Sequence, residues 1–516
     1  MKMLAQFVTI DYVVLLSYLA AMVAMGAWFS RREKTTDDFF RGGRRVPWWA
    51  AGVSIFGTAL SAITYMSMPV ESYTGNWTSL IISISPIVLV GIVSAVYIPF
   101  FRRLNVTTPY EYLESRFNAA ARLLASGQWV VFQIMRISII LYLPSLALSA
   151  ATGMSVVACI FVMGVVATMY TVLGGIEAVI WTDVIQVVVL TGGAVASLVV
   201  IFASIEGGVG AVMSSGLAEG KFQAFNWSWQ MSASAMWVLA IGAAVNNFAV
   251  YTTDQQLVQR YMCTPTVRQS KAAIWTSALG GIPTAVLFFM LGTSLWAFYA
   301  QHPELAPADS NKVFAVFIVE QLPAGLSGLL IAGIFAAAMS SVDSGVNSIS
   351  AAVTTDFVKR FNLVDEKYML IFARVIVIVT GMIGTVMAVI MANANIQSIY
   401  MFFMGMLGMF VGPLAGMFVL GMFTKRCRRW GAVVGFVTSA AVIVICVALG
   451  ELFPVPKILW GAMGLLVCVG AGYLASMFGG DGGESYRGLT VYSIDQRLRA
   501  DLVEPPACES MPGPRE

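Results

Sequence analysis

The sequence predicts an all-α polytopic membrane protein of about 13 transmembrane helices, and three observations predict it. Of the 516 residues, 58% are hydrophobic and 11% charged, where a soluble surface carries about 25% charged residues. Mean hydropathy is +0.81. Apolar runs of about 20 residues, long enough to cross a hydrocarbon core, recur along the chain. Lys and Arg also gather in alternate connections between those runs, as they do on the cytoplasmic side of membrane proteins.

Taken in order, the spans fall near 9–29, 47–70, 79–101, 123–149, 153–172, 178–203, 232–253, 272–300, 324–354, 368–393, 397–423, 430–450 and 456–478. The first opens on Asp11, runs into Arg31 and Arg32, and has no small-residue cleavage site. It therefore reads as a retained helix, not a signal peptide. The second concentrates Gly57, Thr58, Ser61 and Thr64 near its middle, followed by Pro69. Such a stretch is either a broken helix that frees carbonyls to hold a cation or an unbroken helix packed through small residues. The seventh ends in a polar set from Asn246 to Gln256. Its later members are expected at the inner water boundary, which leaves Asn246 and Asn247 deep enough to meet a solute. Between the eighth and ninth spans, Val313 to Glu320 is amphipathic and is expected to lie on the membrane surface. Residues 1–478 form the transmembrane domain, and the polar, Gly- and Pro-rich stretch 479–516 is expected to be a flexible cytoplasmic tail.

The charge pattern orients the chain. With the N-terminus outside, the inner connections collect Arg31, Arg32, Arg41, Arg44, Arg45, Arg102, Arg103, Arg116, Arg122, Arg260, Lys359, Arg360, Lys425 and their neighbours. The outer ones hold only Lys2, Lys221, Lys312 and Lys457. The protein is thus expected in the plasma (inner) membrane with its N-terminus outside and its C-terminus in the cytoplasm.

Several chemistries are excluded. A net charge of +3 gives no character for binding nucleic acid. The six cysteines are scattered, without a CxxC pair, and His302 is the sole histidine. There is no Walker-type phosphate loop, no HExxH and no GxSxG, so the chain reads as neither an enzyme nor an ATP-driven pump. A channel would need a continuous polar stripe along several helices, and a sensor an output domain; the sequence displays neither.

What remains are charges inside the spans, each costly unless paired or hydrated. Arg136 lies mid-way along the fourth span with no carboxylate at i±3 or i±4. Its planar fork suits a carboxylate, although a structural ion pair with another helix is the competing reading. Asp183 in the sixth span and Asp343 in the ninth fall in the cytoplasmic halves of helices that run in opposite directions. Ser340, Ser344 and Asp343 share one helix face, and oxygen donors of this kind suit a hard cation such as Na+. Close packing through Ala336 to Ala338 and the serines explains the small residues but not an aspartate.

Two stretches, Thr171 to Gln186 (TVLGGIEAVIWTDVIQ) and Ala336 to Ser348 (AAAMSSVDSGVNS), resemble the signature of the sodium/solute symporter family. The likeness runs from Asp37 to the last spans and is strongest to the branch of the family that carries sialic acid, notably over Trp49 to Phe56. It implies a leucine-transporter-type core of 5+5 inverted repeats over about 47–423, with a discontinuous first core helix, and Na+-coupled uptake of a small organic solute by a monomer. By the same resemblance Gly57, Leu60, Ala337, Ser340 and Ser341 would hold one Na+. Asp183, Ser340 and Ser344 would hold a second, with Asp343 standing where that branch has a hydroxyl. Arg136, Ser61 and Thr64 would grip the solute. Ser79, Ser83 and Ala59 replace larger or more polar residues of that branch, which enlarges the pocket, and Asn247 is the further candidate. A carboxylate-bearing sugar such as sialic acid is the expected solute; a neutral sugar or polyol, with Arg136 as scaffold, is the alternative.

Overall fold

The computed structural model describes residues 8–29, 36–478 (except 61, 105, 233, 309, 395–398, 451, 452 and 454) and 489–493. Every regular element among these residues is a helix. The elements used below are α1 (Thr9–Phe29), α2 (Trp48–Ala59), α3 (Ala62–Thr74), α4 (Leu80–Ile92), α5 (Tyr110–Arg116), α6 (Ala119–Thr152), α7 (Val156–Ser204) and α8 (Gly208–Ala218). They continue with α9 (Met236–Thr253), α10 (Gln255–Met262), α11 (Val267–Gln301), α12 (Val313–Gln321), α13 (Leu326–Ala352), α14 (Met369–Asn393), α15 (Ile399–Phe423), α16 (Arg429–Leu449) and α17 (Trp460–Met477). Among the described residues, ten helices are long and apolar enough to cross a membrane by length and composition. One expected span differs: the second is split into α2 and α3, whereas the fifth and ninth fall within the longer helices α7 and α13.

The split in the second span is a break in the backbone. Leu60 leaves the helical region at φ −84°, ψ 71°, so the last carbonyls of α2 lose the amides that would have donated to them one turn on. A second break, which the sequence reading did not anticipate, separates α9 from α10. Asp254 there is extended at φ −75°, ψ 117°, and its side chain caps α10 through the Gln256 N–H at 2.9 Å.

The fifth and sixth expected spans form one helical run of 49 residues, which if straight would extend about 74 Å, more than twice a bilayer core. Its neighbours show that it doubles back. In the first arm Gly164 faces Thr385 and Gly381 faces Thr168, while in the second Gly193 and Gly333 face Leu330 and Leu190. Each arm is therefore antiparallel to its partner, α14 or α13, and α13 and α14 are themselves successive. The reversal falls between Thr168 and Leu190, a stretch that holds Glu177, which pairs with Arg45 at 3.9 Å.

Buried polar groups tie distant parts of the chain together. Asp11, 3% exposed, accepts the N–H groups of Gly325 at 2.7 Å and Gly328 at 2.8 Å, and so caps α13 from more than three hundred residues away. Arg116, expected in a water-facing connection, is 1% exposed and donates to the carbonyls of Gly421, Thr424 and Cys427 at the end of α15. The stretch expected on the membrane surface is also inside. In α12, Val313, Phe314, Phe317 and Ile318 are buried, with Phe314 stacked on Tyr65 and Phe317 edge-on to Phe298. Its apolar face was read correctly, but that face is covered by protein and not by lipid.

Two measurable consequences follow from this packing. Where α15 crosses α17, a Cβ on Gly412 would come within 2.6 Å of the Gly461 carbonyl and 2.9 Å of Gly464 Cα. Backbone cannot yield as a side chain can, so Gly412→Leu is expected to cost about 2 kcal/mol, read as a lowered melting temperature of the purified protein. At the basic end of the bundle, Glu114 receives Arg122 at 2.8 Å and Arg360 at 2.6 Å. Partial burial pushes the Glu114 carboxyl up, but the hydrogen bonds from Arg122 and Arg360 outweigh it and hold the carboxyl below its ordinary range. A lowered folded-state pKa stabilises above the unfolded value and is lost as pH falls through the folded one. Glu114→Gln is accordingly expected to melt earlier than wild type at neutral pH, and the gap should close in acid.

Candidate functional site

Arg136 stands on α6 between the two helix breaks. Its Nη2 donates to the Thr58 carbonyl, two residues before the break that ends α2, at 3.4 Å. Nη1 reaches Gln256 Oε1 at 3.2 Å and lies 3.8 Å from Asp254 Oδ2, at the break between α9 and α10. Asp254 also receives Trp129 Nε1 at 3.3 Å and Gln133 Nε2 at 3.4 Å, both from α6. Nε of Arg136 is buried and has no hydrogen-bond partner among the described residues. The guanidinium is thus held at one end by long contacts and retains an unspent donor at the other.

A second polar cluster centres on Asp183 and Arg260. Asp183 of α7 has no exposure and is paired with Arg260 of α10 at 3.0 Å. The same guanidinium donates to Ser54 Oγ at 2.7 Å, to the Gln256 carbonyl at 2.9 Å and to Ser344 Oγ of α13. Ser54 in turn donates to Asp183. Thr58 Oγ1 is 3.5 Å from Ser344 Oγ, and Thr182 Oγ1 donates to Asp343 at 3.4 Å. Four elements meet here: α2, α7, α10 and α13. Nearby, Ser341 is 1% exposed and its hydroxyl has no partner among the described residues.

These contacts overturn two expectations. The stretch from Tyr251 to Gln256 is not at a water boundary; Tyr251, Thr252, Thr253, Asp254, Gln255 and Gln256 are all buried. Arg260 is not a loop cation but has no exposure at all. Both errors have one cause. A polar stretch at the end of an apolar run looks like an exit into water, whereas here α10 turns inward after the break and every one of its residues is buried.

The remaining sequence candidates fall as follows. Gly57 lies in the last turn of α2 and Leu60 at its C-terminal break. Ala337 and Ser340 lie on α13, their side chains outside the described set, and Ser61 lies outside the described residues altogether. Thr64 is in the first turn of α3, while Ser79 immediately precedes α4 and Ser83 lies within it. Asn247 donates to Ser85 Oγ at 2.8 Å and to the Ile82 carbonyl at 3.4 Å, which ties α9 to α4. Asp183, Asp343 and Ser344 do come together; Arg260, Ser54, Thr58, Asp254 and Gln256 complete the arrangement and were not among the candidates. One signal for them was present: an Asp followed at once by a polar helix-forming run is an N-cap pattern.

The arrangement offers oxygen donors from a helix terminus, hydroxyls and two carboxylates, beside a separate guanidinium with a free donor. Oxygen donors of this kind suit a hard cation, and a guanidinium suits an anion. No group of three or more His, Cys, Asp or Glu that would hold a transition metal occurs among the described residues.

Comparison with known proteins shows the family. The model of the "Sodium:solute symporter family" matches residues 39–439. A sodium/sialic acid symporter, NanT, of Aliivibrio fischeri is 40% identical over 478 residues, 92% of this chain and 94% of its own. Another, SiaT of Proteus mirabilis, is 41% identical over 442 residues, 84% of this chain and 89% of its own. Among solved structures, the substrate-bound outward-open state of a Na+-coupled sialic acid symporter superposes with a TM-score of 0.87 at 37% identity, covering 93% of this chain and 100% of that one.

Proposed function

The chain belongs to the sodium:solute symporter family, and from that premise we propose that it carries a carboxylate-bearing sugar of the sialic acid class into the cell together with Na+. The observation that carries the reading is Arg136: a cation set between two helix breaks, with a buried Nε that has no partner among the described residues. A carboxylate arriving there would meet a fork with a free donor and a guanidinium whose present contacts, at 3.2, 3.4 and 3.8 Å, are long. Ser61, Thr64, Ser79, Ser83 and Asn247 would line the rest of the solute site.

One Na+ would sit against the carbonyls of Gly57, Leu60 and Ala337 and the hydroxyls of Ser340 and Ser341. Support comes from the break at Leu60, which leaves the last carbonyls of α2 without helical partners, and from the unpartnered hydroxyl of Ser341. A second would use Asp183, Asp343, Ser340 and Ser344. Na+ binding then favours a state open to the outside, the solute binds against Arg136, and the core rocks to release both inside. A tenfold Na+ gradient contributes about 1.4 kcal/mol, and a membrane potential of about 100 mV contributes about 2.3 kcal/mol per charge. A second Na+ offsets the charge of an anionic solute. Thirteen spans in a plasma-membrane monomer, with the N-terminus outside, the C-terminus in the cytoplasm and 5+5 inverted repeats over 47–423, complete the reading.

The alternative is a neutral sugar, and the Asp254–Arg136 pair favours it, because it supplies the guanidinium with a counter-ion from the protein itself. The two separate in a thermal-shift panel of N-acetylneuraminate, neutral sugars and amino acids, with and without Na+. Stabilisation by N-acetylneuraminate only in Na+ is the expected result. Stabilisation by a neutral hexose alone would replace the carboxylate reading.

A further inference from the structure

We propose that Arg260 is a tethered cation that competes with Na+ for Asp183 and Ser344, so that Na+ can enter that site only as the guanidinium leaves it. The inference rests on the reading above that Asp183 and Ser344 are Na+ donors, and adds to it a residue that no Na+ ligand set includes.

The geometry is specific. Arg260 is entirely buried and donates to Asp183 Oδ2 at 3.0 Å, to Ser344 Oγ and to Ser54 Oγ at 2.7 Å. Asp183 and Ser344 are two of the side chains proposed for the cation, and they come from two different elements, α7 and α13. A guanidinium and a desolvated Na+ are both hard to leave without anionic or oxygen partners inside a protein. Either one satisfies Asp183, but the lone pairs now turned to Nη2 cannot face both at once. The carboxylate is therefore never left bare: it exchanges one cation for another, which removes the large penalty of an uncompensated buried charge in the ion-free state.

Exchange also has a mechanical side. Arg260 stands on α10, the short buried helix that follows the break at Asp254, and its Nη1 holds the Gln256 carbonyl of the same helix at 2.9 Å. Gln256 is the residue that touches Arg136 at 3.2 Å. Withdrawal of the Arg260 guanidinium from Asp183 thus bears on the helix that carries one of the contacts of Arg136. Occupation of the cation site and the setting of the solute guanidinium would be linked through eight residues of α10 and not through a long relay.

The test is Na+-dependent thermal stabilisation of the full-length purified protein in detergent, without solute, titrated with NaCl at constant ionic strength in choline chloride. If the Arg260-bound form outweighs the vacated one by about ten to one, its removal raises apparent Na+ affinity by about tenfold. Arg260→Gln is expected to lower the Na+ midpoint by that factor, and Arg260→Lys, which cannot span Ser54, Ser344 and Asp183 together, to lower it less. Asp183→Asn should raise the midpoint several-fold, and Arg260→Gln should bring no further gain in that background. A residue that is merely structural would lower the melting temperature equally with and without Na+ and leave the midpoint where it was. An unchanged or raised midpoint in Arg260→Gln, or in Arg260→Lys should the Gln variant not fold, overturns the proposal. A wild-type midpoint in Asp183→Asn would instead remove the Na+ assignment to Asp183 itself, whatever Arg260 does.

Discussion

Arg136→Ala is expected to reduce Na+-driven uptake of a carboxylate solute by about a hundredfold or more while leaving the Na+-induced rise in melting temperature in place. Two charge-assisted hydrogen bonds contribute about 1.5–3 kcal/mol each, and about 2.7 kcal/mol already corresponds to a hundredfold. The size of the effect depends on what else the side chain does. It spans Thr58 on one side and Gln256 and Asp254 on the other, so a purely structural role would show as poor expression and loss of Na+ stabilisation together. Arg136→Lys sharpens the distinction. It keeps the charge beside Asp254 but loses the planar fork, so it should preserve expression and still transport poorly. Normal transport by Arg136→Lys would mean that charge alone is needed there and that the fork does not grip a carboxylate.

Ser341→Ala is expected to move two observables in opposite directions. In the wild type the Ser341 hydroxyl is buried and has no partner among the described residues, a condition that costs about 1–3 kcal/mol. Removing it should therefore leave the Na+-free protein as stable as before or more so. If that hydroxyl is a Na+ ligand, the same change should raise the Na+ concentration needed for half-maximal transport by about tenfold, one lost oxygen ligand being comparable to one hydrogen bond to a charge. A general packing defect lowers stability and activity together and cannot produce this pattern. An unchanged Na+ dependence would remove Ser341 from the cation site.

Much of the membrane architecture was legible along the chain, because lipid imposes a one-dimensional rule. About 20 apolar residues make a crossing whatever lies beside them, and the candidates at 9–29, 79–101, 123–149, 178–203, 272–300, 368–393, 430–450 and 456–478 coincide with helices that qualify. The break in the second span was visible as one of two options, since Gly57, Thr58 and Ser61 weaken helix and strengthen packing alike. Asp183 and Asp343 stood out because an aspartate has no bland role at that depth, and Thr182 links the two regions in the structure by donating to Asp343.

Other features could not be read this way. Asp254 to Arg260 is as polar as a loop, and a hydropathy window scores it as one; only the backbone turn at Asp254 carries it back into the protein. Arg260 is tolerable there because Asp183, 77 residues earlier, and Ser344, 84 residues later, converge on its guanidinium. Val313 to Gln321 likewise has one apolar face in any environment, and whether lipid or Tyr65 and Phe298 cover it depends on where α3 and α11 arrive. The sequence by itself determined that the chain is an all-helical polytopic membrane protein and which acids demand an explanation, because transfer from water to hydrocarbon is a property of each residue and its near neighbours. Tertiary structure alone decided which buried cation answers which buried acid, because ion pairing inside a membrane protein depends on distances of 3–4 Å between helices that the chain order does not specify.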